Sequence, residues 1–276
     1  MTRYNVIIVS KWTLLLMNIQ DFCFTWRGQQ MAPLLKPDLP MLMPVDIRGQ
    51  GRERALLLLH GFSSSPAVFR TIIPQLNGYD AIICPALPGH ADSFEAFSKV
   101  KASEWLLAVE KICESLVKEY QYVDVLGVSL GGLLACHLSH RFPLHRLYLL
   151  APALDLRLNL SLSIRAARFF HAIGFRRLRN RAGNLHAQQH FELTYRQLPI
   201  TAVIEILTLV QQFKFIPPTC PTDVFLGRFD DVVDSSKVSA RFESVSSAKI
   251  HWLNNSAHVL PLDGDVNQII EAVCNA

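Results

Sequence analysis

Among the residues able to do chemistry, Ser129 has the most informative setting. It stands in Gly127-Val128-Ser129-Leu130-Gly131-Gly132, between an apolar run starting at Val123 and a helical pattern starting at Leu130. A serine on a tight strand-to-helix turn takes strained backbone angles that push its hydroxyl outward, and glycines two residues to either side let neighbouring segments approach without a Cβ clash. The helix that follows adds a favourable positive end. The chemistry such a serine could do is nucleophilic attack on a carbonyl carbon, once something takes its proton. The plain alternative is a glycine-rich turn carrying an incidental serine.

A hydroxyl is a weak nucleophile until an imidazole accepts its proton and an acid fixes the imidazole tautomer. In strand-turn-helix sites of this kind the acid and the imidazole follow the serine in that order. Asp230, in Phe225-Leu226-Gly227-Arg228-Phe229-Asp230-Asp231-Val232-Val233, lies just past one buried run, and His258, in Asn255-Ser256-Ala257-His258-Val259-Leu260-Pro261, just past the next. Asp231 and Asp234 compete for the acid's role; Asp230 is preferred because it opens the loop, with Val232 and Val233 able to tuck under the sheet. Taken singly, a loop aspartate or histidine is more often structural. Order and placement together make the set Ser129, Asp230, His258.

Attack on a carbonyl puts negative charge on its oxygen, which preorganised backbone amides can stabilise. His60-Gly61-Phe62 follows the first strong apolar run, and the amides of Phe62 and Leu130 are the expected donors. Ser63, Ser64 and Ser65 read as loop-forming rather than substrate-contacting. His60 and His90, both ahead of Ser129, read as structural hydrogen-bonding groups.

These residues need a scaffold. Ala55–Leu59, Ala81–Cys84, Val123–Leu126, Leu147–Leu150, Asp223–Leu226 and Lys249–Leu253 are short continuous apolar runs, expected as strands buried on both faces. Between them, Ala102–Tyr120, with Ser103 as N-cap, Leu130–His140 and Val266–Val273 carry helical spacing. Alternation of this kind predicts an α/β fold, a mostly parallel doubly wound sheet with its ligand crevice at the strands' carboxyl ends. Residues 155–216 break the rhythm with two helical patterns, Ile164–Leu178 and Thr201–Phe213, and no convincing strand, which marks a helical cap insertion. Pro33, Pro37, Pro40 and Pro44 make 32–50 a connector that cannot hold a regular helix. The expected organisation is an N-terminal extension over 1–50, an apolar segment plus this connector, then one domain over 51–276.

Half of the 276 residues are hydrophobic and 18% are charged, which suits a packed core and excludes a disordered chain. A net charge of +4 without a helix-turn-helix or zinc-finger pattern gives no reason to expect nucleic acid. The scattered cysteines, with no Cys-x-x-Cys pair, read as small buried hydrophobes in a reducing, cytoplasmic setting, and no metal site is expected. Tyr4–Ile19 is strongly apolar but broken by Lys11. Its uninterrupted run falls short of the roughly 20 residues a bilayer span needs, leaving export, anchoring, a packed segment or a misassigned start open.

The set His60-Gly61-Phe62-Ser63-Ser64-Ser65-Pro66, Leu87-Pro88-Gly89-His90, Gly127 to Gly132, Gly227 to Val233 and Ser256-Ala257-His258 resembles the α/β-hydrolase superfamily, and within it the bacterial carboxylesterase and monoacylglycerol lipase group with a small helical cap. The resemblance runs from about Ala55 to the C-terminus, includes Tyr195-Arg196-Gln197-Leu198-Pro199, and leaves out the first forty or so residues. It implies that Ser129, Asp230 and His258 form a catalytic triad, that the Phe62 and Leu130 amides form the oxyanion hole, and that no cofactor is used. Ala91 and Ala257 stand where many relatives have glycine, which bears on loop shape. The function expected is hydrolysis of small carboxylic esters with short to medium acyl chains, or of monoacylglycerols; a thioesterase, an acyltransferase, a carbon-carbon bond hydrolase and a non-catalytic binding protein are the alternatives. Residues 156–191 carry seven arginines and no acid, interleaved with Phe169, Phe170, Ile173 and Phe175. That pattern fits either peripheral membrane contact, which the N-terminal segment could share, or a solvated arginine face over an apolar face lining the acyl pocket. Oligomeric state has no signature.

Overall fold

The six expected runs pair edge to edge as parallel strands, and the side chains of the inner ones alternate between two hydrophobic layers. In the computed structural model, which describes the backbone of residues 5–6 and all of residues 18–275, Ala55, Leu57 and Leu59 point into one buried cluster while Leu56 and Leu58 point into the other. In chain order the elements are β1 (Asn5–Val6), β2 (Phe22–Trp26), β3 (Gln29–Pro33), β4 (Val45–Arg48), β5 (Arg54–Leu59), β6 (Ala81–Cys84), α1 (Phe94–Lys99), α2 (Ala102–Glu119), β7 (Tyr122–Val128), α3 (Leu130–Ser139), β8 (Arg146–Leu150), α4 (Leu160–Ala172), β9 (Arg177–Arg179), β10 (Glu192–Tyr195), β11 (Gln197–Pro199), α5 (Ile200–Gln212), β12 (Thr222–Gly227), α6 (Ser235–Phe242), β13 (Ala248–Leu253) and α7 (Val266–Cys274).

The main sheet runs β1-β4-β6-β5-β7-β8-β12-β13, parallel from β6 to β13, with β4 antiparallel to β6 and β1 antiparallel to β4. The strand order reverses beside β5, which brings the ends of β5 and β7 together at the switch point where an open α/β sheet binds ligands. Helices α2, α3 and α6 bury apolar faces in one cluster, including Trp105, Val109, Leu133 and Phe242, while α7 packs Ile269 and Val273 into the other. The cap of α2 differs from the sequence reading: Lys101 is the N-cap, and the Glu104 carboxylate accepts from its amide at 2.9 Å, so Ser103 lies inside the helix.

Two segments depart from expectation. The stretch expected as an extension and connector is partly sheet: Val45–Arg48 joins the main sheet, and β2 and β3 form a hairpin whose two turn residues, Arg27 and Gly28, both take positive φ (48° and 71°), as a two-residue primed turn requires. The insertion expected to be all helical contains β9, β10 and β11; β10 pairs antiparallel with β2, making a three-stranded sheet of the hairpin and the insertion, and β11 pairs with β9. The two insertion helices fall near their expected positions as α4 and α5, but the first stops at Ala172 and Arg177–Arg179 is strand. The prolines do what was expected of them, since Lys36–Leu42 is only a 3-10 turn.

Much of the apolar N-terminal run Tyr4–Ile19 lies outside the described residues. Among the described residues no helix is long and apolar enough to cross a membrane, and no His, Cys, Asp or Glu group could hold a metal ion. All six cysteines are free and five of them are buried, as their reading as small hydrophobes requires.

Candidate active site

Ser129 joins β7 to α3 with φ 54° and ψ −112°, a conformation that costs an L-residue about 1–3 kcal/mol and survives only where the surroundings enforce it. Packing enforces it here. The Ser129 amide donates to the Leu150 carbonyl at 2.9 Å, and the Ser129 carbonyl accepts from Ala153 at 2.9 Å. A Cβ on Gly131 would lie 2.0 Å from the Leu59 carbonyl oxygen, so only glycine lets α3 seat against the end of β5.

The Asp230 loop leaves the end of β12, and the His258 loop leaves the end of β13. Their approach depends on Gly227, where a Cβ would meet the Ala257 carbonyl oxygen at 2.0 Å. His258 Nδ1 donates to Asp230 Oδ2 at 2.8 Å, and Asp230 Oδ1 accepts the Val232 and Val233 amides at 2.8 Å each. Asp230 is buried at 2% exposure, so its carboxylate is held on three sides with little access to water. With Nδ1 bonded to a carboxylate, the acceptor lone pair of the imidazole is on Nε2. The competing acids have other partners: exposed Asp231 bonds the Asn184 amide group at 3.2 Å, and Asp234 caps α6 by accepting from the Lys237 amide.

Ser129 and His258 line one cavity of about 410 Å³ with Gly61, Phe62, Ser63 and Ser64 from the loop after β5, and its apolar wall is Val68, Val128, Leu158, Leu198, Val232 and Val259. As the first residue of α3, Leu130 has an amide with no acceptor inside its helix. Ser63 takes φ 61° and bonds the insertion through its carbonyl, which accepts from Thr194 Oγ1 at 2.7 Å. Phe169, Phe170, Ile173 and Phe175 do not line the cavity. They are 44–61% exposed on and just after α4, so the expectation of an apolar cap face lining the acyl pocket is corrected to one in which the insertion supplies Leu158 and Leu198.

Sequence reasoning missed two residues here. Glu192, on β10, is 6% exposed, lines the same cavity and accepts from the Gly183 amide at 2.7 Å. Burial pushes its carboxyl above the ordinary value, against the Gly183 hydrogen bond and the charge of His258. Asn184 bridges the loops: its carbonyl accepts from the His258 and Val259 amides at 3.0 and 3.1 Å, while its side chain meets Asp231. A carboxylate among strand-forming residues, Glu192-Leu193-Thr194-Tyr195, was the available signal for the first; nothing local marks the second. For His258, burial is the strongest single influence and depresses its basicity, but the charge and hydrogen bond of Asp230, with Glu192 beyond, outweigh it and leave the imidazole above its ordinary value.

His60 and His90 sit under this site, not in it. His60 Nδ1 donates to the Gly61 carbonyl at 2.9 Å and Nε2 accepts from the Leu87 amide at 3.0 Å, tying the loop after β5 to the loop after β6, and burial lowers its pKa to about 4. His90 packs against His60, Phe62, Phe97 and Trp105. Ala91 takes φ 51°, so the loop holds a left-handed backbone at an alanine.

The model of the family described as "Alpha/beta hydrolase family" matches residues 56–269. The chain is 27% identical over 225 residues to a thermostable monoacylglycerol lipase of Bacillus sp. (strain H-257), covering 78% of this chain and 87% of the other. It is 21% identical over 232 residues to a carboxylesterase of Bacillus subtilis (strain 168), covering 82% and 92%. A solved structure from work on LipS and LipT, two metagenome-derived lipolytic enzymes, superposes with a TM-score of 0.75 at 23% identity over 84% of this chain and 96% of that one. The chain belongs to the alpha/beta hydrolase family and is an enzyme.

Proposed function

We propose that this enzyme hydrolyses small carboxylic esters, short to medium acyl esters or monoacylglycerols, with Ser129 as nucleophile, His258 as general base, Asp230 as its orienting acid, and the Phe62 and Leu130 amides as oxyanion donors. One observation carries the reading: the 2.8 Å His258–Asp230 bond stands at a cavity whose wall includes a serine held at positive φ. Relatives named for monoacylglycerol and carboxylic ester hydrolysis support it.

In this mechanism Ser129 Oγ attacks the ester carbonyl carbon while His258 Nε2 takes the hydroxyl proton. The carbonyl π bond opens onto oxygen, where two amides meet the new charge; each is worth roughly 3–4 kcal/mol of barrier by the cost of removing one such donor. The oxyanion re-forms the carbonyl, the alkoxide leaves with the proton from His258, and an acyl-serine remains. Water, deprotonated by His258, repeats the sequence and releases the acid. The apolar wall of a cavity of about 410 Å³ suits an acyl chain of modest length.

A panel of p-nitrophenyl esters of two to sixteen carbons, beside matched thioesters and a carbon-carbon diketone substrate, tests the reaction class. The reading expects kcat/KM to peak on esters of short to medium chain. Faster turnover of the thioester or diketone would replace it with the corresponding alternative, and no turnover with any of them would favour a binding protein.

The exposed Phe169, Phe170, Ile173 and Phe175 beside Arg165, Arg168 and Arg176 further support contact of the α4 tip with an anionic lipid surface. Co-sedimentation with phosphatidylglycerol vesicles should fall at least fivefold in Phe169→Ser/Phe175→Ser, and equal binding to zwitterionic vesicles or an unaffected variant would remove the inference.

A further inference from the structure

A second cavity, of about 910 Å³, opens beside the catalytic one, and its walls carry Arg27, Arg157, Arg179, Arg181 and Arg228. Among the described residues none of these five makes an ion pair with a carboxylate, whereas Arg48, Arg54 and Arg241 elsewhere do. Their bonds go to neutral oxygens. Arg27 Nε donates to the Leu185 carbonyl at 3.0 Å, Arg157 Nε to the Val233 carbonyl at 3.3 Å and Arg228 Nε to Asn254 Oδ1 at 3.2 Å. The Arg228 guanidinium also stacks 4.9 Å above the Trp252 ring, and that of Arg27 lies 5.0 Å above the Trp26 ring. These contacts fix the guanidinium planes of Arg27, Arg157 and Arg228 through Nε and leave their terminal N–H groups for something else, while Arg179 donates one terminal N–H to the Gly28 carbonyl at 3.5 Å. Two acids share this wall with the five arginines, and neither pairs with them: buried Asp230 bonds His258 and exposed Asp231 bonds Asn184, while Asp234, outside the cavity, pairs with Lys237.

Five like charges around one hollow repel each other, and their planar forks match phosphate oxygens in pairs. The two cavities are continuous in their lining, since Arg179, Arg181, Asn184 and Val232 face both. The apolar one suits an acyl chain, so the cationic one receives the other side of the scissile bond. We infer that the alcohol portion of the substrate carries a phosphate, held in this arginine cavity while the acyl carbonyl lies at Ser129. This rests on the ester hydrolase reading and narrows its substrate to esters of a phosphorylated small alcohol. The hairpin β2–β3 is thereby given a use, because its turn supplies Arg27, which precedes the family match at residues 56–269, to a pocket whose other four arginines lie within that match.

Two measurements on the full chain test this separately from the reaction. In calorimetry, glycerol 3-phosphate should bind the wild-type protein at least tenfold more tightly than glycerol, with affinity falling as salt rises; this requires no turnover, so a chain that binds but cleaves no ester would sink the hydrolase reading and leave the anion site standing. In kinetics, 1-hexanoylglycerol 3-phosphate should exceed 1-hexanoylglycerol in kcat/KM by at least tenfold, chiefly through KM. The double variant Arg27→Gln/Arg228→Gln, altered only in the cationic cavity, should lose that advantage while its kcat/KM on 1-hexanoylglycerol stays within twofold. The short chain keeps substrate monomeric, which separates a phosphate pocket from attraction to a charged lipid surface: preference seen only for a sixteen-carbon homologue in vesicles would overturn the pocket. So would no detectable glycerol 3-phosphate binding, equal kcat/KM for the charged and neutral soluble esters, or equal slowing of both by the double variant.

Discussion

Replacing Asp230 by asparagine tests its proposed role as the orienting acid against the neighbouring aspartates. The asparagine carbonyl can keep the Val232 and Val233 amides now held by Oδ1, so the loop should retain its shape. Its NH₂ group then faces His258 Nδ1, where Oδ2 now accepts at 2.8 Å. A donor there makes Nδ1 the acceptor and moves the ring proton to Nε2, so the nitrogen that takes the Ser129 proton in the proposed mechanism already carries one. Where the same change has been made in a serine protease triad it costs about 10⁴ in kcat, close to 5 kcal/mol of barrier, and with Asp230 likewise buried and bonded to Nδ1 a loss of about 10³–10⁴ is expected here. Asp231→Asn should cost less than twofold, because Asp231 is exposed and bonded only to Asn184. The assay is steady-state hydrolysis of p-nitrophenyl butyrate with melting temperatures for all three proteins. The acid limb of kcat/KM, which reports neutral His258, should lie above the ordinary histidine value of 6.5 in the wild type. In Asp230→Asn any residual activity should persist to lower pH, since burial then acts with Glu192 alone opposing it. A folded Asp230→Asn that keeps more than a tenth of the activity, or an Asp231→Asn that loses more, would refute the assignment of the acid.

Three further expectations follow from the packing. Ala91→Gly removes a left-handed alanine strain of roughly 1–2 kcal/mol against roughly 0.5–1 of added chain entropy, so urea denaturation should show a gain of about 0.5–1 kcal/mol and not a loss. Gly131→Ala drives a methyl into the Leu59 carbonyl and should destabilise by about 3 kcal/mol or more, read by the same denaturation. Because buried His60 stays neutral down to about pH 4 while an unfolded histidine protonates near 6.5, the unfolded chain binds the extra proton between those values; stability should therefore fall by about 2 kcal/mol from pH 7.5 to 5 on this residue's account, a difference that His60→Gln should shrink.

The central sheet was legible because strands buried on both faces leave unbroken apolar runs: all six expected strands are present, each extended by no more than two residues at either end, but Lys249–Leu253 is corrected to an edge strand in which only Leu253 is buried. Ser129 was legible for a related reason, as the glycines that its turn demands are close in sequence. Asp230 could be ranked over Asp231 only by position; the distinction itself is geometric, one carboxylate turned inward to two amides and a ring, the next turned out to Asn184. The hairpin escaped notice although Phe22–Trp26 is a run of strand formers ending in a positive-φ Arg27-Gly28 turn, because its pairing partner Glu192–Tyr195 is more than 150 residues away and itself half polar. The arginine cavity had no local pattern to find. Three of its members lie in the acid-free stretch 156–191, but Arg27 and Arg228 reach it only through the folded chain.

The most direct measurement treats the folded protein with a fluorophosphonate and maps the adduct by peptide mass. A single phosphonylated residue at Ser129 is expected, with labelling abolished by Ser129→Ala, by prior unfolding, and reduced at least a hundredfold by His258→Ala. Labelling of a different serine, or a folded and probe-inert Ser129, would contradict the assignment of this serine as the nucleophile.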